Sequence, residues 1–530
     1  MPNSLTDAID QLCSVDLAVS FYRLQEKLPG MWADIGSGDP GGRIQAPHTI
    51  LVIPSLTVDL EIPTIEQQAY EERFLFMLFL LGQPNLRLVY VTSLAIKPEI
   101  VDYYLDMVPG SVYSNARKRL FLVSPEDGSS RPLSQKLLER PWLIEHMRNM
   151  VPDIDNAHIV PFNTTDLERE LAVRLGVPMY AADPDFFAFG TKSGGRQIFE
   201  DEGVAHPLGE ENLDSEAALI SAIARLRARK PEIKKMIVKL NEGVAGLGNA
   251  VVDLSALDEP GAAAEEAGIA GCLRAMLFED SAATHEAYME AWRADGGIVE
   301  ELVEGAQVQS PSVQMRNTPL GEVQLLSTHD QILGGPSGQS FVGASFPANP
   351  EYSGLITRDA LKIGQRLARE GVIGRYAVDF LLVRDDDSEQ WRPYAIEINL
   401  RKGGTTTPYL TLQYLTRGSY DAKAGVFRTL HGQDKYYVAN DHLRDERFRM
   451  FTPDILFDVL TNHRLHFNHA NQVGVVPHMI SCIGTNGSVG LTAIANSPAE
   501  ASALYERFRV VLEEEAERRA ENIQQITVNR

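Results

Sequence analysis

Two carboxylates and an amide lie on neighbouring stretches that the sequence predicts to be a β-hairpin. Asp379 lies in Tyr376 to Arg384, and Glu397 and Asn399 lie in Trp391 to Leu400. Side chains alternate along a strand, so Glu397 and Asn399 point to one face, and a symmetric hairpin places Asp379 across from Glu397. Close like charges cost free energy unless a cation joins them, and oxygen ligands of this kind suit Mg²⁺ or Mn²⁺. From these residues alone the alternative is a pair of solvated carboxylates.

A second feature is a lysine at the end of an apolar strand, followed by a glycine-rich loop. Lys239 lies one residue before the end of the predicted strand Lys235 to Leu240, and Gly243, Gly246 and Gly248 follow that strand. Glycines let backbone amides approach phosphate oxygens, and a lysine adds a positive charge. The loop joins two strands, so it is neither a Walker-type loop nor a dinucleotide fingerprint, both of which open a helix. A strand lysine followed by these glycines predicts either a phosphate-binding loop or an ordinary glycine turn.

A third basic segment lies upstream of that loop. Lys192 and Arg196 belong to the run Thr191 to Arg196, which precedes a short predicted helix. The run is either a further ligand-binding segment or a plain basic loop, and the residues alone leave both interpretations open.

The elements that must position these groups begin with alternating strands and helices. Predicted strands lie at His48 to Pro54, Leu86 to Thr92, Arg119 to Val123 and Ala157 to Phe162. Predicted helices run from Ile65 to Leu81, from Pro98 to Met107, and from a capping box at Thr165 to Glu168 as far as Leu175. This alternation is typical of a doubly wound α/β domain.

The tail after Phe451 reads as helix, strand, strand and helix, and it ends in the charged helix Pro498 to Glu521. So small a unit buries little surface alone. We therefore expect the segment from Phe451 to about Glu517 to pack against the core that carries the residues described above.

Length and composition bound the class of protein. A chain of 530 residues with 44% hydrophobic and 23% charged residues predicts about three or four globular units. The net charge of −23 argues against nucleic acid or an anionic membrane surface as a partner. Three scattered cysteines and no visible signal peptide favour a cytoplasmic protein. The oligomeric state is open, with a homodimer as one alternative.

Taken in order from Lys192 to Thr407, these segments resemble the ATP-grasp superfamily, with Val299 to Gly305 similar to its adenine hinge. The resemblance implies ATP and Mg²⁺ (or Mn²⁺) as cofactors. It also implies an α/β ATP-grasp fold behind an N-terminal Rossmann-like pre-ATP-grasp domain and ahead of a small α+β C-terminal domain. The domain limits that follow are 1–184, 185–303, 304–440 and 441–530.

The resemblance also implies roles for individual residues. The phosphate-binding residues would be Lys192 and Lys239, under a closing loop that contains Gly243, Gly246 and Gly248. The adenine contacts would be the backbone of Glu301 and Val303 and the side chain of Glu300, and Gln307 stands where the family usually has a ribose-binding glutamate. The metal ligands would be Asp379, Glu397 and Asn399. The catalytic residues would be Lys239 and Arg401, with Arg401 holding the transferred phosphoryl group.

A closer similarity is to the pheganomycin-type peptide ligases within that superfamily. It rests on Gly190 to Gly194, Ser327 to Gln331, Phe341 to Ala348 and Asn399 to Thr406. It implies an amide bond formed between an amino-acid-derived carboxylate and an amine or peptide nucleophile, through an acyl phosphate and with release of ADP and phosphate. Substrate contacts would be Arg196, His329 and Thr405. The alternatives are a phosphotransferase that stops at a phosphorylated product and a non-catalytic ATP-binding regulatory protein.

Overall fold

The structure is a computed structural model that describes residues 16–36, 44–57, 64–243, 246, 248–280, 282–335, 338–386, 388 and 390–528. Val244, Ala245 and Leu247 of the predicted glycine loop lie outside the described residues. The described side chains exclude those of residues 33–36, 64–65 and 522–528.

The N-terminal unit is built on a four-stranded parallel sheet with the order β3-β2-β1-β4. Its strands are β1 His48–Ile53, β2 Leu86–Val91, β3 Leu120–Val123 and β4 Ala157–Pro161. Its helices are α1 (16–25), α2 Leu28–Gly36, α3 Thr64–Glu72, α4 Pro98–Asp106, α5 Tyr113–Lys118, α6 Leu133–Leu138, α7 Pro141–Asn149 and α8 Asp166–Leu175. Every residue of β1 is buried, as expected of a parallel strand covered on both faces. The predicted alternation is confirmed, as is the capping box in which Thr165 and Glu168 open α8.

The prediction of one helix from Ile65 to Leu81 is wrong in its second half. Helix α3 ends at Glu72, and the segment Arg73–Gly82 that follows is a 3-10 helix. All nine residues from Arg73 to Leu81 are buried, so the segment packs on every side and has no solvent-facing stripe.

A five-stranded antiparallel sheet, with the order β5-β9-β6-β7-β8, carries the predicted lysine and glycine loop. Its strands are β5 Gly209–Leu213, β6 Lys235–Leu240, β7 Asn249–Asp253, β8 Leu277–Phe278 and β9 Gly297–Glu301. The accompanying helices are α9 Lys192–Asp201, α10 Glu216–Arg229, α11 Glu265–Arg274 and α12 His285–Asp295. Trp292 and Leu226 are fully buried in the apolar core beneath this sheet.

A nine-stranded sheet carries the acidic hairpin. Its path is β10-β14-β11-β12-β13-β18-β20-β19, and β15 pairs with β14. The strands are β10 Gln307–Gln309, β11 Pro311–Asn317, β12 Val323–Gly334, β13 Ser340–Phe346, β14 Gly374–Arg384, β15 Arg392–Asn399, β18 Tyr436–Arg444, β19 Gly474–His478 and β20 Ser488–Ala495, with a separate ladder of β16 Ser419–Asp421 and β17 Val426–Arg428. The helices are α13 Pro350–Arg369, α14 Thr406–Thr416, α15 Pro453–Asn462, α16 Ile483–Asn486 and α17 Pro498–Val528.

The C-terminal tail continues this sheet. Strand β18 pairs with β13 on one side and β20 on the other, so the proposed limit between residues 440 and 441 falls within one strand. An apolar cluster joins Leu491 of the tail to Phe346 on β13, in the sheet that carries the acidic hairpin, and to Phe74 of the N-terminal unit. The expectation that the segment after Phe451 packs against the core with the predicted site is therefore confirmed. Among the described helices, none has the length and apolar character that crossing a bilayer would require.

Candidate active site

The acidic hairpin has the register that the sequence predicts. Asp379 pairs with Glu397 and Ala377 pairs with Asn399, with an irregularity directly after Asp379. The Nδ2 of Asn399 donates to the Oδ2 of Asp379 at 3.0 Å. The three side chains therefore form one cluster, and the amide oxygen of Asn399 is the atom that would reach a metal ion.

Asp379 and Glu397 differ in their electrostatic surroundings. Desolvation and the charge of Glu397 raise the pKa of Asp379 to about 6. Desolvation also acts on Glu397, but the positive charges of Lys192, Arg401 and Lys239 outweigh it and hold its pKa below the usual value. Two carboxylates that repel each other, one of them bonded to the amide of Asn399, fit a hard divalent cation such as Mg²⁺ or Mn²⁺. Among the described residues, no group of three or more His, Cys, Asp or Glu side chains is placed to hold a metal ion.

Two polar side chains that the sequence analysis missed also contact Asp379. Ser312, directly across from it on β11, and Gln331 on β12 both hydrogen-bond its carboxylate. Both bonds lower the pKa of Asp379. The only signal that could have found Ser312 is the pairing of β11 with β14, which no local motif encodes.

Lys192 opens helix α9 and joins the two sheets. The side chain of Thr191 caps the helix by accepting from the amide of Gly194 at 3.0 Å. Asn241, just past the end of β6, accepts the backbone amide of Lys192 at 3.2 Å. The Nζ of Lys192 then donates to the Oε1 of Glu397 at 2.6 Å and to the carbonyl of Gly243 at 3.3 Å. One ammonium group thus contacts both the glycine loop and the acidic hairpin.

The base of the glycine loop has no room for side chains. A Cβ on Gly248 would lie 2.9 Å from the Cα of Gly243, so the two chain segments touch at their backbones. Gly246 has a φ of +87°, which an L side chain rarely adopts. Tyr288 donates to the carbonyls of Gly248 at 3.0 Å and Val238 at 3.2 Å, which anchors the loop to β6.

Lys239 and Glu300 lie on adjacent strands and form a buried ion pair. The other carboxylate oxygen of Glu300 accepts from the Nη1 of Arg196 at 3.0 Å. Arg196 also contacts the carbonyl of Pro207 at 3.0 Å and Glu211 at 3.2 Å. The Glu300 carboxylate therefore pairs with the side chains of both Lys239 and Arg196. That Glu300 accepts a hydrogen bond from the adenine amino group stays a prediction.

The predicted hinge follows β9 directly. The backbone amide of Glu301 donates to Leu208 at 2.8 Å, and that of Leu302 donates to Lys235 at 3.1 Å. The Glu301 side chain is held by Lys230 at 2.5 Å. These bonds hold Glu301 and Leu302 against the neighbouring backbone, directly ahead of Val303. Further along, Gln307 begins β10, and its Oε1 accepts from Arg384 at 2.6 Å.

Arg401 follows β15 and lies beside the acidic pair. Burial lowers its pKa, and the charges of Glu397 and Asp379 act in the opposite direction. Its guanidinium lies over the ring of Phe162 at 5.8 Å, at the end of β4. Thr405, just before α14, is buried and accepts from the Nε2 of Gln314.

His329 lies on β12 directly opposite Ser312, and its ring is buried among aromatic side chains. Its Nε2 is 2.7 Å from the hydroxyl of Tyr437, and the rings of Phe346 and Tyr409 are within 6.3 Å of it. Desolvation lowers its pKa to about 3, so the imidazole is neutral at physiological pH. That His329 contacts the substrate stays a prediction.

Comparison with known proteins relates this arrangement to established families. Residues 186–272 and 273–423 match a family model described as IQCH-like, ATP-grasp. The chain is 32% identical over 454 residues to the L-propargylglycine–L-glutamate ligase of Streptantibioticus cattleyicolor, covering 84% of this chain and 89% of that protein. It is 21% identical over 452 residues to IQ motif-containing protein H of Danio rerio, covering 76% of this chain and 41% of that protein. A biotin carboxylase–β,γ-ATP complex from Campylobacter jejuni has a similar fold, with a TM-score of 0.50, 14% identity and coverage of 86% of this chain and 89% of that one.

Proposed function

Since the chain belongs to the ATP-grasp family of ligases that form C–N bonds, we propose that it joins an amino-acid-derived carboxylate to the amine of a second amino acid or peptide. The observation that carries the proposal is the facing pair Asp379 and Glu397, with the Nζ of Lys192 2.6 Å from Glu397. The name of the relative from Streptantibioticus cattleyicolor, which contains two amino acids, supports this class of substrate.

ATP is held in this proposal by the five-stranded sheet. Lys192 and Lys239 contact the phosphates, and amides of the glycine loop approach the same oxygens. The backbone of Glu301 and Val303 binds the adenine edge. Glu300 keeps Lys239 in place because Arg196 holds the other oxygen of its carboxylate.

Asp379, Glu397 and Asn399 hold magnesium in this proposal. The ion supplies charge compensation for the phosphate oxygens during transfer of the γ-phosphoryl group. Ser312 and Gln331 orient Asp379 through their hydrogen bonds to its carboxylate. Lys192 exchanges its contact with Glu397 for one with a phosphate.

The substrate carboxylate attacks the γ-phosphorus of ATP, and the bond from that phosphorus to the bridging oxygen breaks to release ADP. Arg401 holds the phosphoryl group through its guanidinium, which suits a bidentate phosphate contact. The amine then attacks the acyl carbon, loses a proton and expels phosphate. Arg401 also offsets the oxyanion of the tetrahedral intermediate, as a preorganised donor does in acyl transfer.

A screen of common L-amino acids and dipeptides tests the proposal. Pairs are incubated with ATP and Mg²⁺, and products are found by a mass equal to the sum of the two substrates less water. ADP release that requires both an acid and an amine is the expected result. ADP release with a stable phosphorylated product would indicate a phosphotransferase and contradict the ligase. Nucleotide binding without turnover of any pair in the screen would indicate a non-catalytic ATP-binding protein.

A further inference from the structure

Two hydrogen bonds connect the sheet that carries Lys239 to the sheet that carries the acidic hairpin. The Oγ of Ser340, the first residue of β13, donates to the Oε1 of Glu279 at 2.6 Å. The Nδ2 of Asn249, the first residue of β7, donates to the Oε1 of Gln339 at 3.1 Å. Glu279 directly follows β8, and Gln339 directly precedes β13. We call these four residues the inter-sheet contact.

The inter-sheet contact is tightly packed. Glu279 is only 3% exposed, and a Cβ on Gly335 would overlap its Oε1. A Cβ on Gly246 would lie 3.0 Å from the carbonyl oxygen of Gln339. Both glycines also have a positive φ, +81° for Gly335 and +87° for Gly246, which L side chains rarely adopt. The two sides therefore meet without room for a side chain at either glycine, around a buried carboxylate.

On one side, the inter-sheet contact lies next to a predicted phosphate ligand. Lys239 on β6 pairs with Asn249 on β7. The side chains of two directly opposite residues lie on the same face of an antiparallel sheet, about 5 Å apart at Cβ. The backbone amide of Glu279 donates to the carbonyl of Asn249 at 3.1 Å, so these two members of the contact are bound to each other. The position of Lys239 is therefore tied to both of them.

On the other side, the inter-sheet contact is connected to the strands of the predicted metal site. Asp379 on β14 pairs with Ser312 on β11, and Ser312 pairs with His329 on β12. Further along β12, Gly334 pairs with Ser340. The backbone hydrogen bonds of three successive strand pairs thus link the predicted metal ligand to Ser340. Because of these ladders, Ser340 keeps its place relative to the acidic hairpin.

We infer that the inter-sheet contact is a positioning element, which fixes Lys239 relative to Asp379 while the γ-phosphoryl group is transferred and water is kept from the acyl phosphate. The inference rests on the proposed function, because it concerns the same site. The four residues act through the strands that carry Lys239 and Asp379, so they are positioning residues and not catalytic ones. A misplacement of about 1 Å in such an arrangement costs on the order of 100-fold in rate. The loss of the contact should therefore affect the reaction more than the fold.

The test measures how much ADP is released for each amide formed. With a productive pair of acid and amine, wild type should release one ADP for each amide. Ser340→Ala should lower kcat for amide formation by at least about tenfold, as loss of a hydrogen bond to a carboxylate does. It should also release ADP in excess of amide, because water then reaches the acyl phosphate. Gln339→Ala should act in the same direction with a smaller loss, about threefold, since its hydrogen bond is between neutral groups.

Ser388→Ala is the matched control, since Ser388 lies in the turn between β14 and β15 of the same sheet and accepts from the amide of Gln390 there. It should keep the rate and the ADP-to-amide ratio of wild type. Thermal unfolding separates positioning from stability, and the Tm of Ser340→Ala should stay within about 4 °C of wild type. A ratio of one ADP for each amide in Ser340→Ala, whatever its Tm, would overturn the inference and leave the contact as a structural link.

The release of β,γ-imido ATP with Mg²⁺ from wild type and Ser340→Ala separates this inference from the ligase proposal. The analogue is not hydrolysed, so its dissociation rate reports on the nucleotide site without any turnover. Faster release from Ser340→Ala, without turnover of any pair in wild type, would support the positioning role and contradict the ligase. Turnover of a pair in wild type, with release and ADP-to-amide ratio unchanged in Ser340→Ala, would support the ligase and contradict the positioning role.

Discussion

The Nζ of Lys192 lies 2.6 Å from the Oε1 of Glu397, so the first residue of α9 contacts the acidic strand of a different sheet. The two residues are separated by 205 positions in the chain. A predicted phosphate ligand and a predicted metal ligand thus meet in one ion pair. This contact brings the phosphate-binding and metal-binding elements to the same place, as phosphoryl transfer requires.

The acidic hairpin gives the first prediction. Glu397→Gln and Asp379→Asn should each lower kcat by at least about 100-fold, because each removes a charged oxygen ligand from the predicted metal site. Steady-state assays across a range of Mg²⁺ concentrations measure the effect, and circular dichroism should show an unchanged fold. Asp385→Asn is the matched control, since Asp385 lies in the turn of the same hairpin and pairs with Arg392 at the surface. Full activity of either ligand variant with an unchanged Mg²⁺ dependence would contradict the metal assignment.

The buried Lys239 gives a second prediction. Lys239→Met should reduce kcat/KM for ATP by about 100-fold, because it removes a preorganised positive charge from the phosphate-binding region. Lys235→Met is the control on the same strand, where the side chain is 42% exposed and 3.9 Å from Glu304, and it should stay within about twofold of wild type. Equal effects of the two substitutions would remove Lys239 from the site. Titration with a fluorescent ATP analogue separates loss of binding from loss of turnover.

The hairpin was predictable because its signal is local. Alternation along two strands and one turn fixed the faces of Glu397 and Asn399, and the register bears this out. The capping box at Thr165 was predictable for the same reason, since Glu168 lies within one helical turn. The 3-10 segment after Glu72 could not be predicted in the same way. All its residues from Arg73 to Leu81 are buried, so the sequence has no alternation of apolar and polar residues that would distinguish a 3-10 helix from an α-helix.

Contacts between distant segments escaped the sequence analysis. Ser312 reaches Asp379 only because β11 pairs with β14, and an ion pair between Arg73 and Asp441 spans most of the chain. Strand β18 was missed as well, although it connects the tail to the central sheet. Such pairings depend on which strands become neighbours, and a single sequence carries little information on that choice.

The buried His329 gives a prediction on pH and stability. Its pKa is about 3 in the folded protein because of desolvation, whereas an unfolded chain has a histidine pKa near 6.5. The unfolded state therefore binds more protons below pH 6.5, and the stability that His329 contributes falls as the pH drops from about 6.5 towards 3. Between pH 7 and pH 4.5 this linkage amounts to about 2 kcal/mol.

His329→Gln should remove that loss, since glutamine does not titrate and its side chain still offers a polar partner to Tyr437. Thermal unfolding at pH 7 and pH 4.5 measures the effect as the change in Tm between the two conditions. The change should be smaller in His329→Gln than in wild type, whereas the exposed His431→Gln should behave as wild type. An identical acid sensitivity of His329→Gln and wild type would contradict a neutral, buried imidazole.

The last prediction concerns the nucleotide product and the intermediate. The predicted phosphate ligands Lys192 and Lys239 and the acidic hairpin all lie at the phosphate end of the proposed nucleotide site, where charge moves during γ-transfer. The product should therefore be ADP, not AMP and pyrophosphate. With the acid present and the amine withheld, an acyl phosphate should form, and hydroxylamine should trap it as a hydroxamate. Chromatography of the nucleotides and a colorimetric hydroxamate assay measure both results, with Glu397→Gln as the inactive control. AMP as the main product would overturn the mechanism, because an adenylated acid requires attack at the α-phosphorus.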